Sequence, residues 1–232
     1  MKKTALIAGA SGLVGRHCLD LLLAAEDRYE RVISIGRREL PLTHPRLEQR
    51  VVNFDALETE QLRLIADDVY CCLGTTIKQA GSQAAFYAVD YTYVVKLAAV
   101  LSTNFASQFL VVSALGADPH SSVFYNRVKG EMEAAVKQTS FRAVYIFQPS
   151  LLLGARPNPR FGERVGAVLL RAVSPLLLGP LRPYRAIEAA AVAQAMLDAA
   201  RQDGGGVRTY KSDEIAAGAA RELPVTLTLP TH

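Results

Sequence analysis

The hydrophobic residues of this chain form short continuous runs, separated by longer segments in which apolar residues recur with helical period. The runs predict strands at residues 5–8, 31–35, 50–53, 69–73, 109–113 and 143–147. Strands that are apolar throughout are buried on both faces, as in a parallel sheet with helices on either side. The pattern therefore predicts an α/β fold with a doubly wound parallel sheet.

The regular pattern changes after Pro149. Proline and glycine interrupt residues 151–164, whereas residues 186–201 predict another helix and residues 206–210 another strand. The chain has 232 residues, of which 50% are hydrophobic, so it can bury a substantial core, and no linker divides it. We expect one domain over residues 1–232, in which residues 150–232 contribute a small substrate-side lobe.

Composition argues against metal and nucleic-acid sites. The net charge is +4, but lysine and arginine are scattered along the chain and tryptophan is absent, so we expect no nucleic-acid face. The four histidines are far apart, and the three cysteines have neither metal-ligand spacing nor an even number. We therefore expect no metal, and cysteines that fill the core.

No segment predicts export or membrane insertion. The first apolar run is short and leads directly into glycines, unlike a signal sequence. The longest apolar stretch, residues 165–181, is a poor membrane span because Arg171, Pro175, Gly179 and Pro180 interrupt it. We expect a cytoplasmic protein without a membrane span, in which this stretch either roofs an apolar substrate pocket or contacts a protein partner or a second copy of the chain.

Three glycines follow the first predicted strand at every third position. Gly9, Gly12 and Gly15 lie between this strand and a helix whose apolar residues begin at Leu13. Exposed N–H groups at a helix N-terminus bind phosphate, and glycine lets a pyrophosphate approach the main chain. The spacing departs from the usual G-x-G-x-x-G, so the turn alone indicates either a Rossmann-type dinucleotide site or a purely structural turn.

Polar or small residues end the next strands, whose carboxyl ends should border the same crevice. Arg37 and Arg38 are suited to the 2′-phosphate of NADP, although an exposed basic loop is the alternative. Asp55 either accepts from the adenine amino group or caps the following helix. Gly74 and Thr75 either make room for the cofactor or form a simple turn.

Candidate catalytic residues lie in the segment that follows the fifth strand. Ser113 ends that strand, and Tyr125 and Lys129 are four residues apart at the start of a helix, which places both on one face. Alternatively, Tyr125 only packs its ring and Lys129 is a solvated surface residue. The nucleotide turn upstream favours the catalytic interpretation.

The order of these motifs resembles the short-chain dehydrogenase/reductases, in the atypical branch of Tat-interacting-protein-like NADPH-binding oxidoreductases. The resemblance extends to about Ala200 and rests on GASGLVG, IGRR, CCLGTT, VSALGAD, YNRVKGE and FQPSLLLG. It implies a Rossmann fold, NADP(H) as the cofactor and a small-molecule carbonyl substrate.

The resemblance also implies a role for each motif. The glycine turn would wrap the pyrophosphate, the arginines would hold the 2′-phosphate, the CCLGTT segment would line the adenosine side, and the remaining residues would approach the nicotinamide half. The cofactor-binding residues so implied are Gly9, Ser11, Gly12, Leu13, Val14, Gly15, Arg37, Arg38, Leu73, Gly74, Thr75, Lys129, Pro149 and Ser150. The asparagine of the family's usual catalytic set has no secure counterpart, because Asn104 lies late in its helix.

A mechanism follows from these positions. The ammonium of Lys129 and an oxidised nicotinamide are expected to lower the pKa of Tyr125, which donates a proton to the carbonyl oxygen while Ser113 holds that oxygen. The alternative is a redox sensor that binds NADP(H) and acts through a protein partner without turnover, since a fold does not determine a function.

Overall fold

Seven parallel strands form one sheet in this computed structural model, which describes residues 2–60, 64–154 and 184–219. Across the sheet the strands follow the order β3-β2-β1-β4-β5-β6-β9, and β7 and β8 pair separately. In chain order they are β1 (Lys3–Ala8), β2 (Tyr29–Gly36), β3 (Leu47–Val51), β4 (Asp68–Cys71), β5 (Gln108–Val112), β6 (Ala143–Gln148), β7 (Leu152–Leu153), β8 (Ile187–Glu188) and β9 (Gly206–Lys211). This arrangement confirms the predicted doubly wound parallel sheet.

Helices cover both faces of the sheet. In chain order they are α1 (Leu13–Ala24), α2 (Ile77–Ala80), α3 (Gln83–Tyr87), α4 (Tyr93–Thr103), α5 (Phe124–Val136), α6 (Ala189–Arg201) and α7 (Ser212–Ala219), with a 3-10 helix at Phe54–Glu60 and a π turn at Ala88–Thr92. The helices α1 and α6 pack together on one face, and α4 and α5 pack on the other. The sheet therefore separates two hydrophobic layers.

Alternate residues of β1 explain why its sequence is apolar throughout. Ala5 and Ile7 join the layer under α1 and α6, whereas Leu6 and Ala8 join the layer under α4 and α5. All four are fully buried. Successive side chains of a strand point to opposite faces, so a strand covered on both sides needs an apolar residue at every position.

The structure shifts the predicted strand limits most at the sheet edge. The prediction of 50–53 found only the end of β3, which begins at Leu47. This edge strand is half-buried or exposed and has a polar centre of Glu48, Gln49 and Arg50. The apolar pair Val51 and Val52 therefore marks where the strand ends and not where it begins.

Part of the predicted substrate-side lobe belongs to the central layers. The helix α6 packs against α1, and β9 adds a seventh strand beside β6. Residues 155–183, which include the apolar stretch at 165–181, lie outside the described residues. For that segment the lobe stays a prediction.

One helical segment within the described residues has the length and apolar composition of a membrane span. It runs from Gln83 to Thr103 through α3, the π turn and α4. Its inner residues Phe86, Val94 and Leu97 are fully buried, the last two in the core layer with α5. A core helix needs the same apolar composition, so this feature is weak evidence of a span.

Candidate functional site

A crevice of about 700 Å³ opens at the carboxyl ends of β1, β2 and β4. The order in which the chain adds strands to the sheet reverses here: β2 and β3 lie on one side of β1, and β4 lies on the other. Crevices at such a reversal are the usual ligand sites of doubly wound sheets. The lining brings together the following residues that the sequence predicts to bind cofactor: Gly9, Ser11, Gly12, Arg37, Arg38, Leu73, Gly74 and Thr75.

Each of the three glycines of the turn is required for a different structural reason. Gly9 has a φ of +86°, and a Cβ there would lie 2.5 Å from the carbonyl oxygen of Cys72. A Cβ at Gly15 would overlap the carbonyl oxygen of Gly9, so this glycine lets α1 pack close to the turn. Gly12 lines the crevice, and a Cβ there would lie 3.1 Å from the same oxygen. Gly12 thus leaves the main chain open to a ligand in the crevice, without the left-handed backbone that Gly9 requires.

The N-terminus of α1 points its main chain toward the crevice. Gly12 is the N-cap, no side chain caps the helix, and its first turn contains no acidic residue. Leu13, Val14 and Gly15 form the first turn of the helix but do not themselves line the crevice. The first N–H groups of a helix lack partners within it and carry the positive end of the dipole, which favours an anion.

Arg37 and Arg38 lie at the end of β2 and line the crevice. Both are exposed, and neither forms an ion pair or hydrogen bond within the described part of the chain. By contrast, Arg31 on the same strand pairs with Glu48. Two guanidinium groups without a carboxylate partner are available to a phosphate.

Asp55 does not cap the helix that contains it, so that alternative is wrong. The main-chain N–H of Asp55 donates to Oδ1 of Asn53 at 3.0 Å, and Asn53 thus serves the start of the 3-10 helix. The Asp55 carboxylate instead accepts the Tyr93 hydroxyl at 2.8 Å. Tyr93 lines the crevice and holds Asp55 close to its rim. A contact of Asp55 with adenine stays a prediction.

Asp90 is a site residue that the sequence interpretation missed. It lies in the π turn and its side chain is 1% exposed. One carboxylate oxygen accepts the N–H of Thr75 at 2.9 Å, and the other lies 2.7 Å from Nζ of Lys129. An isolated acidic residue in an apolar helix was the signal that could have revealed it, because a buried carboxylate requires a charged partner.

Tyr125 and Lys129 lie on one face of α5, as the spacing predicts, but the pKa of Tyr125 differs from the expectation. Burial lowers the pKa of Lys129, but the carboxylate of Asp90 outweighs this effect and holds the pKa above its ordinary value. Burial raises the pKa of Tyr125, Lys129 opposes the increase, and Asp90 adds to it. The lowering expected from Lys129 and an oxidised nicotinamide is therefore not seen in the protein alone, because burial outweighs the effect of Lys129 on the Tyr125 pKa and Asp90 adds to burial.

The Tyr125 side chain is half-buried and available for chemistry. Its ring packs on Phe86 with the centroids 5.5 Å apart. Its hydroxyl makes no hydrogen bond to the residues that the structure describes. A phenol with an elevated pKa remains protonated at neutral pH, so Tyr125 can act as a proton donor.

Ser113 does not have the environment expected of a residue that holds the substrate oxygen. Its hydroxyl is buried and donates to Oε1 of Glu133 at 2.5 Å. The amide of Gln148 donates to the same carboxylate at 2.9 and 3.1 Å. Because Ser113 has only one hydroxyl proton and Glu133 accepts it, this serine connects β5 to α5, and the expected donation to substrate is not what the structure shows.

Pro149 and Ser150 also differ from expectation, since neither lines the crevice. Pro149 is buried, and its carbonyl oxygen accepts the N–H of Leu115 at 2.9 Å. The Ser150 hydroxyl bonds to the carbonyl oxygen of Arg185 and to the Ser212 hydroxyl. These contacts connect β6 to the segment around β8 and α7, and proximity to a nicotinamide stays a prediction.

Within residues 2–60, 64–154 and 184–219, no cluster of three or more histidine, cysteine or acidic side chains could hold a metal ion. The crevice suits a dinucleotide better than a metal ion. The glycine turn leaves space beside the main chain, α1 offers N–H groups, and Arg37 and Arg38 line the crevice with no hydrogen-bonded or ion-paired partner among the described residues. The arrangement suits a ligand that carries both a pyrophosphate and a further phosphate.

Comparisons with known proteins agree with this geometry. Residues 5–203 match the NAD dependent epimerase/dehydratase family. Protein HTATIP2 of Rattus norvegicus is 37% identical over 165 residues, which cover 69% of this chain and 67% of that protein. The mitochondrial protein FMP52 of Candida glabrata is 32% identical over 167 residues, which cover 69% of each chain. The solved structure of MoeE5 with UDP-glucuronic acid and NAD has a TM-score of 0.67 at 17% identity, covering 94% of this chain and 81% of that chain.

The relatives correct the expected location. Several FMP52 proteins similar to this chain are named mitochondrial. The expectation of a purely cytoplasmic protein is therefore wrong. It rested on the absence of a recognisable signal in the sequence, and such an absence does not establish the compartment of a protein.

Proposed function

This chain belongs to the NAD dependent epimerase/dehydratase family, and from that premise we propose that it is an NADP(H)-dependent oxidoreductase. In this proposal it interconverts a carbonyl compound and an alcohol by hydride transfer. The family match and the likeness to HTATIP2 confirm the resemblance to the atypical short-chain dehydrogenase/reductases. They support an NAD(P)-binding protein, and the preference for NADP(H) and the carbonyl reaction are our proposals.

The observation that carries the proposal is the pairing of two features along one crevice wall. At one end Arg37 and Arg38 have no carboxylate partner in the described chain. At the Gly74 wall, a Cβ on that glycine would lie 3.8 Å from Nζ of Lys129. Neither Lys129 nor Tyr125 lines the crevice, but Lys129 lies behind its Gly74 wall and one helical turn from Tyr125, so we place the proton donor beside the proposed phosphate site.

The cofactor would be held mainly by main-chain groups and arginines. The glycine turn and the N–H groups of Leu13, Val14 and Gly15 would bind the pyrophosphate. Arg37 and Arg38 would bind the 2′-phosphate in bidentate fashion. Leu73, Gly74 and Thr75 would lie along the cofactor, since they line the crevice. A bound nicotinamide supplies the hydride in reduction or accepts it in oxidation.

Tyr125 would perform the proton transfer of the reaction. Burial and the Asp90 carboxylate keep the pKa of its phenol above the ordinary value, so the group is protonated at neutral pH. It would donate its proton to the carbonyl oxygen as that oxygen gains negative charge. Lys129, fixed by Asp90, would stabilise the resulting phenolate and contact the cofactor ribose. We assign Ser113 no contact with substrate, because its proton is directed to Glu133.

A redox sensor is the second candidate function, and the surroundings of Ser113 and Lys129 are the observations in its favour. Ser113 bonds within the protein, and Asp90 offsets the charge of Lys129. Both features reduce what the usual set of side chains would contribute to turnover. A sensor would bind NADP(H) at the same crevice and signal through a protein partner, without consuming the cofactor.

A screen of carbonyl compounds distinguishes these two functions. The purified protein is mixed with NADPH and with a panel of aldehydes and ketones, and the loss of NADPH absorbance is followed. An oxidoreductase consumes NADPH with at least one class of carbonyl and prefers it to NADH. Tight NADPH binding without consumption across the panel would favour the sensor instead.

A further inference from the structure

Gln49 is a half-buried residue of the edge strand β3. Its side chain bonds to the main chain of the segment that follows β2. Oε1 accepts the N–H of Leu40 at 2.7 Å, and Nε2 donates to the carbonyl oxygen of Leu40 at 3.1 Å and to that of Leu42 at 2.8 Å. A glutamine amide carries both donors and an acceptor, so this one side chain holds both main-chain groups of Leu40.

The segment that Gln49 holds has no regular secondary structure. Residues 37–46 form neither helix nor strand, so their main-chain groups need partners outside a ladder. Within the segment the N–H of Leu42 donates to the carbonyl oxygen of Leu40 at 2.8 Å. Leu40 also lines the crevice and packs against the hydrophobic layer of α1 and α6. Gln49 therefore fixes this segment at a residue that borders the crevice.

Arg37 and Arg38 lie between two fixed points of the chain. On one side Gly36 ends β2 and is paired with β3. On the other side Leu40 is held by Gln49, and residues 37–39 alone separate the two points. A short stretch of chain that is fixed at both ends has few conformations, so less freedom is lost when its side chains bind a ligand.

We propose that Gln49 is a positioning residue for the 2′-phosphate of NADP(H), which holds the loop that carries Arg37 and Arg38 beside the crevice. This inference rests on the proposed function, because it requires the two arginines to bind that phosphate. Gln49 does not line the crevice, so it acts through the loop and not by contact with the cofactor. NADH has no 2′-phosphate, so the order of the loop contributes to the affinity for NADPH and little to that for NADH.

The test is the affinity for NADPH and for NADH, measured by fluorescence titration of the folded proteins. Gln49→Met keeps the length of the side chain but removes its three hydrogen bonds. It should weaken NADPH binding roughly three- to ten-fold and change NADH binding less than about two-fold. An unchanged ratio of the two affinities, or an equal loss for both cofactors, overturns the proposal.

The matched control is Gln194→Met, the same substitution at a half-buried glutamine of α6. The amide of Gln194 donates to Asp198 at 2.9 Å, and neither residue lines the crevice. Loss of this bond should leave both cofactor affinities as in the wild type. An NADPH-specific loss in Gln194→Met equal to that in Gln49→Met would contradict the assignment to Gln49.

Combination with the arginine variants shows whether Gln49 acts through the loop. In Arg37→Ala with Arg38→Ala the loop lacks the groups that bind the phosphate, so adding Gln49→Met should cause little further loss of NADPH affinity. The same fold-loss with and without the arginines would mean that Gln49 acts on the cofactor by another route, which contradicts the proposal.

Gln49→Asn covers the case in which Gln49→Met does not fold. Asparagine keeps a polar amide but is one methylene shorter, so it cannot make all three hydrogen bonds to Leu40 and Leu42. The NADPH-specific loss should have the same direction as in Gln49→Met. A wild-type preference for NADPH in folded Gln49→Asn would count against the proposal.

The same titrations distinguish this inference from the proposed function. A wild type that binds NADPH and NADH equally overturns the proposed preference for NADP(H), and this inference with it. A wild type that prefers NADPH and keeps that preference in Gln49→Met overturns the role of Gln49 alone.

Discussion

At the scale of single residues, the partners of a side chain decide what it can do in this site. Arg37 and Arg38 have no hydrogen-bonded or ion-paired partner within the described chain, and the Tyr125 hydroxyl makes no hydrogen bond there. Ser113 directs its proton to Glu133. Residue type and spacing in the sequence identify such side chains, but cannot show which of them already have partners, because Ser113 and Glu133 are separated by twenty residues and meet only in the fold.

Replacing both arginines should remove a preference for NADPH over NADH. Arg37→Ala with Arg38→Ala removes two charged donors to the 2′-phosphate, and we expect NADPH affinity to fall about ten-fold or more while NADH affinity changes little. Fluorescence titration with both cofactors measures this change. Arg31→Ala, which removes an arginine paired with Glu48 on the same strand, is the control. A retained preference in the double variant would contradict the 2′-phosphate assignment.

At the scale of elements, α5 and the crevice depend on places where two stretches of main chain lie very close together. The glycine turn could be predicted from the sequence because its spacing is a motif. Gly130 could not, since it looks like an ordinary helix position, yet a Cβ there would overlap the main chain of Asp118 and Pro119. The missing Cβ lets the loop after β5 lie against α5, one residue beyond Lys129.

Gly130→Ala should therefore destabilise the protein, although alanine is the better helix former. The added methyl must displace main-chain atoms, and overpacking of this kind typically costs about 1–3 kcal/mol of unfolding free energy. Urea denaturation measures the change. Gly218→Ala in α7 is the matched control, because no atom of the described residues lies within 4 Å of its Cβ position, and it should be neutral or slightly stabilising. Equal stabilities for the two variants would argue against the close approach.

At the scale of the whole molecule, a charged network joins distant parts of the chain at the edge opposite the crevice. Asp203, which follows α6, accepts from Lys3 at 2.5 Å and from Arg28 at 3.0 Å. Arg28 also bonds to the buried Asp68 of β4 at 2.8 Å. The sequence predicted the helix and strand on either side of Asp203 but assigned them to a small substrate-side lobe of the one domain. It could not show that they complete the main sheet, because strand order depends on long-range pairing.

The network predicts a contribution of Asp203 to the pH dependence of stability, which Asp203→Asn should remove. Hydrogen bonds from Arg28 hold the pKa of Asp203 well below its ordinary value against the opposing effect of burial. Its contribution is therefore present above the pKa of an unfolded aspartate, about 3.9, and is lost as the pH falls toward the folded value. Urea midpoints should be lower for Asp203→Asn than for wild type at neutral pH and should converge in acid.

The control for this experiment is Asp20→Asn, which removes an exposed carboxylate of α1. It should leave the urea midpoint close to that of the wild type at both pH values. A difference between Asp203→Asn and wild type that persists unchanged into acid would show that the carboxylate charge is not the source of the stabilisation.

The central claim is that Tyr125 donates a proton while NADPH reduces a carbonyl at this crevice. The most direct measurement is kcat and NADPH affinity, side by side, for wild type, Tyr125→Phe and Ser113→Ala on a carbonyl from the screen. Tyr125→Phe should bind NADPH normally and lose about 10²–10⁴-fold in kcat, the usual effect of removing a general acid. Folded Ser113→Ala should retain most turnover, because its hydroxyl bonds to Glu133. Wild-type turnover in Tyr125→Phe would contradict the account.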